Sequence, residues 1–526
     1  MSEPVIAIDS TNGNQAAAPG SPEVYVIYGA EPEVQAYAMA KYSRSALSLK
    51  ESLQEVSQHK AEKFLNTFYF QYGHRSIADL AHVALAIERL SILAAIAVVD
   101  QQRWDGQERS TRYQDFKKSG YFVPDFADDE QASELYQTSM HELFLEYEVL
   151  SERMFRYLKQ ITPQPPDMKP EAYERTLRAR AFDISRYLLP LGTNTSLGEI
   201  VNARTLESQI SHLRSATHKE VRHLGELLKR AASSPAYNVA GNGLGELVSA
   251  IRAVSPELGV RAEEQLLREI RVAPTLVKYA DPNPYEIETR RELRQCAQEL
   301  MGGRPVHPSP SVDLLEAEPL EVELATTLIY EHSHYPYRQI RSVIEESGER
   351  ARRAIIDLGL RHRGSHDEML RPFCAGQPFR FDILMDVGGF RDLHRHRRCI
   401  QILQDFTTRH GYDTPEEVNA AELSDHYHAV IERAASAVER LRQAPGEEAG
   451  ENAQYAIPLA FRKRSLFKMD FSEVVYICEL RTTPTGHRSY RNVAYAMFEA
   501  VAKKYPGLAK SFRVHDVHEP VDLLKR

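Results

Sequence analysis

Ser110 and Arg112 stand two residues apart in Glu108-x-Ser110-x-Arg112-Tyr113. On an extended or turning backbone, a hydroxyl and a guanidinium at that spacing face the same way. Together they offer several donors to one phosphate or carboxylate. Most Ser-x-Arg triplets are solvated surface, so this one gains meaning only from what surrounds it. Other cations recur along the chain: Arg186, the group Asn202, Arg204 and Arg214, and the run Arg391-Asp-Leu-His-Arg-His-Arg-Arg398. Taken alone, that last run reads as a solvated basic helix end or an RNA-contacting patch.

These residues need elements to hold them. Tyr136, Met140, Leu143, Tyr147, Leu150 and Met154 alternate spacings of four and three, which predicts one long helix with a core-facing stripe. The apolar run from His82 to Val99 is helix-like; Glu88 and Arg89 interrupt it, and it is too short to span a membrane. Asp183 to Arg222 reads as a helix end, a Pro-Leu-Gly turn, and a helix carrying Asn202, Arg204 and Arg214. Arg204 and Arg214 lie ten apart, close to three turns, so both can reach one side of that helix. Val24–Tyr28 is an expected early strand, and Ser233–Gly245 an expected loop.

A chain of 526 residues exceeds one ordinary core and should form at least two domains. Hydrophobic residues at 42% and charged residues at 26% describe a soluble globular protein. The net charge of −9 argues against a general nucleic-acid binder. Four cysteines with no Cys-x-x-Cys pair indicate neither disulfide framework nor zinc knuckle, and a reducing cytoplasm is the simplest home. Residues 1–22 lack a signal-peptide pattern and read as a disordered tail. His332 and His334, or His362 and His366, have metal-compatible spacing without an accompanying Cys or carboxylate pattern, so no metal is expected. His410 and His487 read as polar surface or as satisfied hydrogen-bond partners.

The Pro-rich stretch 302–311 is the expected linker, dividing a first domain, 23–301, from a second, 312–526. After it the chain begins again. Ala317-Glu-Pro319 echoes Ala30-Glu-Pro32, and Tyr330 echoes Tyr42. Ile457-Pro-Leu459 echoes Leu189-Pro-Leu191, and Leu480-Arg481 echoes Leu213-Arg214. From Pro190 to Arg214 is 24 positions and from Pro458 to Arg481 is 23, which favours a diverged tandem duplication. In the second copy Arg186 becomes Gln454, and Asn202-Ala-Arg204 becomes Asp470-Phe-Ser472.

Gly73-His-Arg-Ser76, the run His82–Val99, Glu108-x-Ser110-x-Arg112-Tyr113, Arg186-Tyr-Leu-Leu-Pro190, Asn202-Ala-Arg204 and Leu213-Arg214 follow in the order shown by one family. The chain resembles the flavin-dependent thymidylate synthases. That family opens its signature with Arg-His-Arg ten residues before the serine. Asp100-Gln101-Gln102 stands there in the first copy, whereas the second copy has Arg395-His396-Arg397. Asp405 and Thr407 then occupy the serine and arginine places, with Thr407-Thr-Arg409 as a shifted remnant.

The resemblance implies an α/β (α+β) fold of two tandem domains, each helix-rich with a short sheet. It implies FAD, with NADPH and methylenetetrahydrofolate as co-substrates, and dUMP as the nucleotide. By the same resemblance Glu108, Ser110, Arg112, Arg186 and Arg395 bind substrate. Arg214 stabilises charge on the uracil carbonyls, while Ser76, Asn202, Arg204, His396 and Arg397 contact flavin. No enzyme cysteine is required. If single-copy chains form tetramers, two tandem chains make a homodimer of four lobes, with one composite site per chain. A non-catalytic flavin- or nucleotide-binding relative, or a flavoenzyme acting on another pyrimidine nucleotide, are the alternatives. Neither nucleic acid nor membrane is expected as a partner.

Overall fold

A computed structural model describes residues 29–41, 52–53, 75–126, 129–364 and 367–525. The expected tail, the strand at Val24–Tyr28, Tyr42, Gly73, His74 and His366 lie outside these residues. Over these residues the chain is helix-rich with two small antiparallel sheets, as the resemblance implies. The first sheet orders β1 (His82–Ser91), β3 (Asn194–Asn202) and β2 (Asp105–Glu108). The second orders β4 (Val312–Leu314), β5 (Phe379–Asp386), β7 (Arg462–Met469) and β6 (Ile400–Leu403).

The long helix Glu130–Ile161 forms as its spacing predicts, burying all six stripe residues. The run His82–Val99 does not form one helix. Its first ten residues are β1, with Val83 and Ile87 facing the core and His82, Ala84, Ala86 and Glu88 facing out. Period two rather than 3.6 governs there, and a short apolar run does not reveal which period it obeys. Arg89, at φ 62°, shifts the register so that Leu90 turns inward. Ser91 then caps the helix Ile92–Val99, its hydroxyl accepting from Ala94 N. Another correction lies at Asn194–Asn202, which is strand, so Asn202 precedes the next helix rather than riding on it. The Asn202 side chain accepts from Thr205 N and caps Ala203–Arg214. The expected loop 233–245 is cut short by a helix at Gly241–Val254. There the apolar positions Leu244, Val248 and Ile251 override the glycine-rich composition.

The duplication is written into the strand registers. Ser91 faces Asn194 and Asp105 faces Ile200 in the first sheet; Asp386 faces Arg462 and Ile400 faces Lys468 in the second. The step from Ser91 to Asp386 equals that from Asp105 to Ile400, and the step from Asn194 to Arg462 equals that from Ile200 to Lys468. The two copies meet where Pro190 bridges Pro458. Leu191 N donates to Ile457 O at 2.9 Å, and its image, Leu459 N to Leu189 O, is also 2.9 Å. Gly192 N to Tyr455 O at 2.7 Å is mirrored by Ala460 N to Tyr187 O at 3.0 Å. Each bond has a partner under exchange of halves, so the seam is an isologous, pseudo-twofold contact inside one chain. A continuous apolar core draws residues from both halves across it.

Candidate functional site

Glu108 ends β2, and the chain turns sharply after it. Ser110 Oγ accepts from Arg112 N at 3.2 Å, which fixes the turn and sends the Arg112 guanidinium inward. Arg112 Nε donates to Asp183 Oδ1 at 3.0 Å, Nη1 to the Tyr490 hydroxyl at 3.0 Å and Nη2 to Thr485 O at 3.1 Å. Arg186 stands in the short 3-10 turn Arg186–Leu188, where the helix Pro170–Ser185 runs out. Only 2% exposed, it donates from Nη1 to Thr111 Oγ1 at 3.4 Å.

Two more arginines arrive from the second half. The helix Val387–Leu393 follows β5 and carries Arg391; Arg395 lies just beyond it. Arg391 donates to the same Thr111 Oγ1 at 3.4 Å and to Glu108 Oε1, while Arg395 donates to Glu108 Oε2 at 3.2 Å. One buried carboxylate from the first copy thus holds two guanidiniums of the second.

The charges are unevenly satisfied. Burial would push the Asp183 carboxyl up, but His487, Arg186 and Arg112 outweigh it and hold it well below the usual range. Burial draws Arg391 down against the pull of Glu108, and the neighbouring Arg395 and Arg186 add to that fall. Arg186 Nη2, Arg391 Nε and Arg395 Nε are buried with no hydrogen-bond acceptor among the described residues, and Arg186 Nε has only its ion pair with Asp183 at 3.4 Å. Each such orphan costs about 1–3 kcal/mol, more for a charged group. An anion with several acceptor oxygens would relieve them together.

The expected flavin contacts diverge. Arg397 pairs with Asp105 at 2.9 Å and lies over the Trp104 ring at 5.4 Å. With Asn202, His82 and Gln102 it lines a cleft of about 240 Å³, so the structure does bring Asn202 and Arg397 together. Arg204 reaches Asp79 at 3.4 Å and Glu368 at 3.7 Å; exposed Ser76 shares the short helix Arg75–Leu80 with Asp79. His396 is buried, 3.3 Å from Glu473 at Nδ1 and accepting from Arg481 Nε at 2.8 Å. Burial lowers its pKa.

Arg214 does not join the cluster. Its Nε bonds Glu226 at 2.6 Å and its Nη1 bonds Ala280 O at 2.5 Å and Asp281 at 2.9 Å, none of them shared with Ser110 or Arg112. Its repeat partner Arg481 does: it lies 5.5 Å over the Tyr490 ring, which Arg112 approaches at 5.6 Å. The exchange of halves explains this, because each site takes its turn from one copy and its helix end from the other. Arg481, Arg391, Asp183, Thr111 and Tyr490 join the cluster although no linear motif singles them out. His487 is the satisfied histidine of its two readings, 3.1 Å from Asp183 and 2.9 Å from the Tyr187 hydroxyl. Among the described residues no cluster of three or more metal-ligating side chains occurs.

The pseudo-twofold generates a reciprocal site. Arg409 N donates to Thr407 Oγ1 at 3.2 Å, repeating the Ser110–Arg112 turn, so the shifted remnant is the structural counterpart. Gly120 and Gly411, at φ 69° and 70°, close both loops. The Arg409 guanidinium, however, lies beside His334, with Nη1 and Nε2 3.4 Å apart. By register, Gln454 stands for Arg186, Ile96 for Arg391 and Leu403 for Glu108, while Asp100 stands for Arg395. Asp100 is consumed by Arg371 at 2.6 Å.

Residues 26–234 and 315–507, more than half of the chain, match a family described as thymidylate synthase complementing protein. A UPF0159 protein of Chlamydia pneumoniae is 27% identical over 95% of this chain and 93% of its own length. A UPF0159 protein of Thermoplasma acidophilum is 25% identical over 90% and 93%. A flavin-dependent thymidylate synthase of Clostridium tetani is 24% identical over 35% of this chain and 71% of its own. Among solved structures, a thymidylate synthase X of Helicobacter pylori with FAD and dUMP covers 38% of this chain and 88% of its own. It is 18% identical at a TM-score of 0.26. No helix among the described residues is long and apolar enough to cross a membrane.

Proposed function

Since the chain belongs to the thymidylate synthase complementing protein family, that of the flavin-dependent thymidylate synthases, we propose that it methylates dUMP reductively to dTMP, with one composite site per chain. Methylenetetrahydrofolate supplies the carbon and NADPH the reducing equivalents. The observation that carries this reading is the set of buried, acceptor-less guanidinium nitrogens on Arg186, Arg391 and Arg395, gathered from both halves.

In this reading Arg112, Arg186 and Ser110 hold the nucleotide phosphate, and Arg395 closes over it from the other half. Thr111 and Glu108 keep the guanidiniums apart and aimed. Arg481, rather than Arg214, faces the pyrimidine and stabilises negative charge that develops on its carbonyl oxygens. Asn202, Arg204, Arg397 and Ser76 hold FAD. The donor set fits the group: cations suit its phosphates, and an amide beside Trp104 suits an aromatic heterocycle. When bound, FAD supplies the hydride and one-carbon chemistry. His396, locked between Glu473 and Arg481, positions Arg481.

Two chains pair as a homodimer whose four lobes, 23–301 and 312–526 from each, are joined by 302–311, and the enzyme works in the cytoplasm. Purified full-length protein should be yellow, with flavin bands near ~370 and ~450 nm. It should form dTMP from dUMP when methylenetetrahydrofolate and NADPH are supplied. Colourless protein that takes up no added FAD would overturn the proposal.

A further inference from the structure

Five arginines gather a second time, away from the site above. A cavity of about 370 Å³ is lined by Arg214, Arg222, Arg290, Arg291 and Arg294, with Ser215, Ala216, Thr217 and Ile287 completing the wall. It opens between the end of the helix Ala203–Arg214, the start of the helix Lys219–Ser233 and one side of the helix Pro284–Met301. No carboxylate is among the lining residues. The acids stand behind the guanidiniums and fix them: Glu226 and Asp281 hold Arg214, Glu448 holds Arg222, and Asp405 and Glu451 hold Arg294. Glu288 holds Arg291 at 2.5 Å and Glu286 lies 4.0 Å from Arg290, while backbone carbonyls add Ser215 O at 2.6 Å from Arg290 Nη1 and Thr217 O at 2.5 Å from Arg222 Nη1.

A guanidinium has five donors, and these bonds leave some unused. Among the described residues, Arg214 Nη2 and Arg222 Nε make no hydrogen bond. The result is a cavity of ligand size whose wall is positive and whose counter-charges lie outside it. Planar, pre-oriented guanidiniums match carboxylate and phosphate oxygens in bidentate geometry, and five of them around one cavity favour the more highly charged phosphate. We propose that this cavity binds a phosphorylated small molecule at a site separate from the Arg186 cluster. Ile287 and Ala216 provide an apolar seat for the part of that molecule that carries no charge.

Inorganic pyrophosphate is the probe, titrated calorimetrically into the full chain and into three variants. Wild type should show saturable binding that persists in Arg186→Ala. It should weaken by on the order of tenfold or more in Arg290→Ala/Arg294→Ala, since two charge-assisted contacts are lost. Arg291, whose side chain is 73% exposed, offers a variant that leaves the core untouched, and Arg291→Ala should also weaken binding measurably. Should the double variant fail to fold, Arg291→Ala decides alone. Absence of saturable binding to wild type at millimolar pyrophosphate would overturn the proposal. So would unchanged affinity in the cavity variants, or binding abolished by Arg186→Ala alone. None of these results bears on whether dUMP is methylated.

Discussion

The two sites related by the pseudo-twofold began as the same object and now differ in which cations they carry. Both retain the turn in which a hydroxyl accepts from the backbone N–H two residues on, at 3.2 Å in each. Both retain a tyrosine on the seam and a histidine at the start of the following helix, Tyr187 with His487 and Tyr455 with His218. Scaffold was kept because it is the dimer-like core of the chain. The cations were not: the reciprocal site carries glutamine, isoleucine and aspartate where the first carries Arg186, Arg391 and Arg395. A duplicated chain needs only one competent site, and the other copy is then free to drift so long as the seam holds.

The sharpest break in the comparison is Asp183 against its counterpart Glu451. Asp183 sits buried among Arg112, Arg186 and His487, and Asp183→Asn leaves those charges uncompensated. Breaking a buried pair costs about 3–5 kcal/mol. Glu451 meets Arg294 at 3.3 Å near the surface, so Glu451→Gln should cost under about 1 kcal/mol. Urea unfolding of both variants checks this; equal losses would mean that the two sites are electrostatically alike after all.

Affinity comes next. Arg186→Ala should weaken dUMP binding by about 2–5 kcal/mol, as removal of one partner of a desolvated charge pair does. Gln454→Ala should leave it unaltered. Calorimetry reports both, along with the stoichiometry, expected to be one nucleotide per chain. Two equal sites per chain, or a Gln454→Ala loss matching that of Arg186→Ala, would erase the asymmetry.

Turnover separates the two helix-end arginines. Arg481→Ala should lower dTMP formation by on the order of 10²-fold, the usual effect of losing one donor to a developing oxyanion. Its loss should exceed that of Arg214→Ala. The reverse order in steady-state assays would return Arg214 to the nucleotide.

Much of this was legible in the sequence, and what was not had a physical cause. The heptad-like stripe of Glu130–Ile161 shows in spacing because one face of a helix is apolar. The duplication shows in Pro190 and Pro458 because the seam needs both. Glu108, Arg112, Arg186 and Arg395 stand out by type and order, and the structure brings them together around Thr111 and Asp183. Arg214 lies apart from that gathering, and a linear motif does not reveal which helix end packs against which copy. Asp183 and Thr111 went unseen because a single buried acid or hydroxyl has no periodicity; only the guanidiniums around them give them meaning. β1 reads as helix because its apolar stretch Val83–Ile87 is unbroken and shows no alternation that would betray a strand.

The smallest effect tests the histidine pair. His487 has Asp183 at 3.1 Å, whereas among the described residues no carboxylate lies within ion-pair reach of His218, whose buried Nε2 has no well-aligned hydrogen bond there. Burial pushes His218 down to about 4, with Arg294 and Arg222 adding to the fall and Asp405 and Gln454 opposing it. The unfolded chain takes up that proton near the ordinary value of about 6.5 and the folded chain does not. A base depressed on folding contributes nothing adverse above about pH 6.5, and stability is lost as pH falls from there toward 4. Full linkage would give about 1.8 kcal/mol between pH 7 and pH 5, and because the ring is partly exposed the loss should be nearer to about 1 kcal/mol. His218→Gln has no proton to take up, so its urea midpoint should fall less than that of wild type over the same interval. A variant that tracks wild type at both pH values would place the acid sensitivity elsewhere. The reciprocal site would then differ from the first in its cations alone.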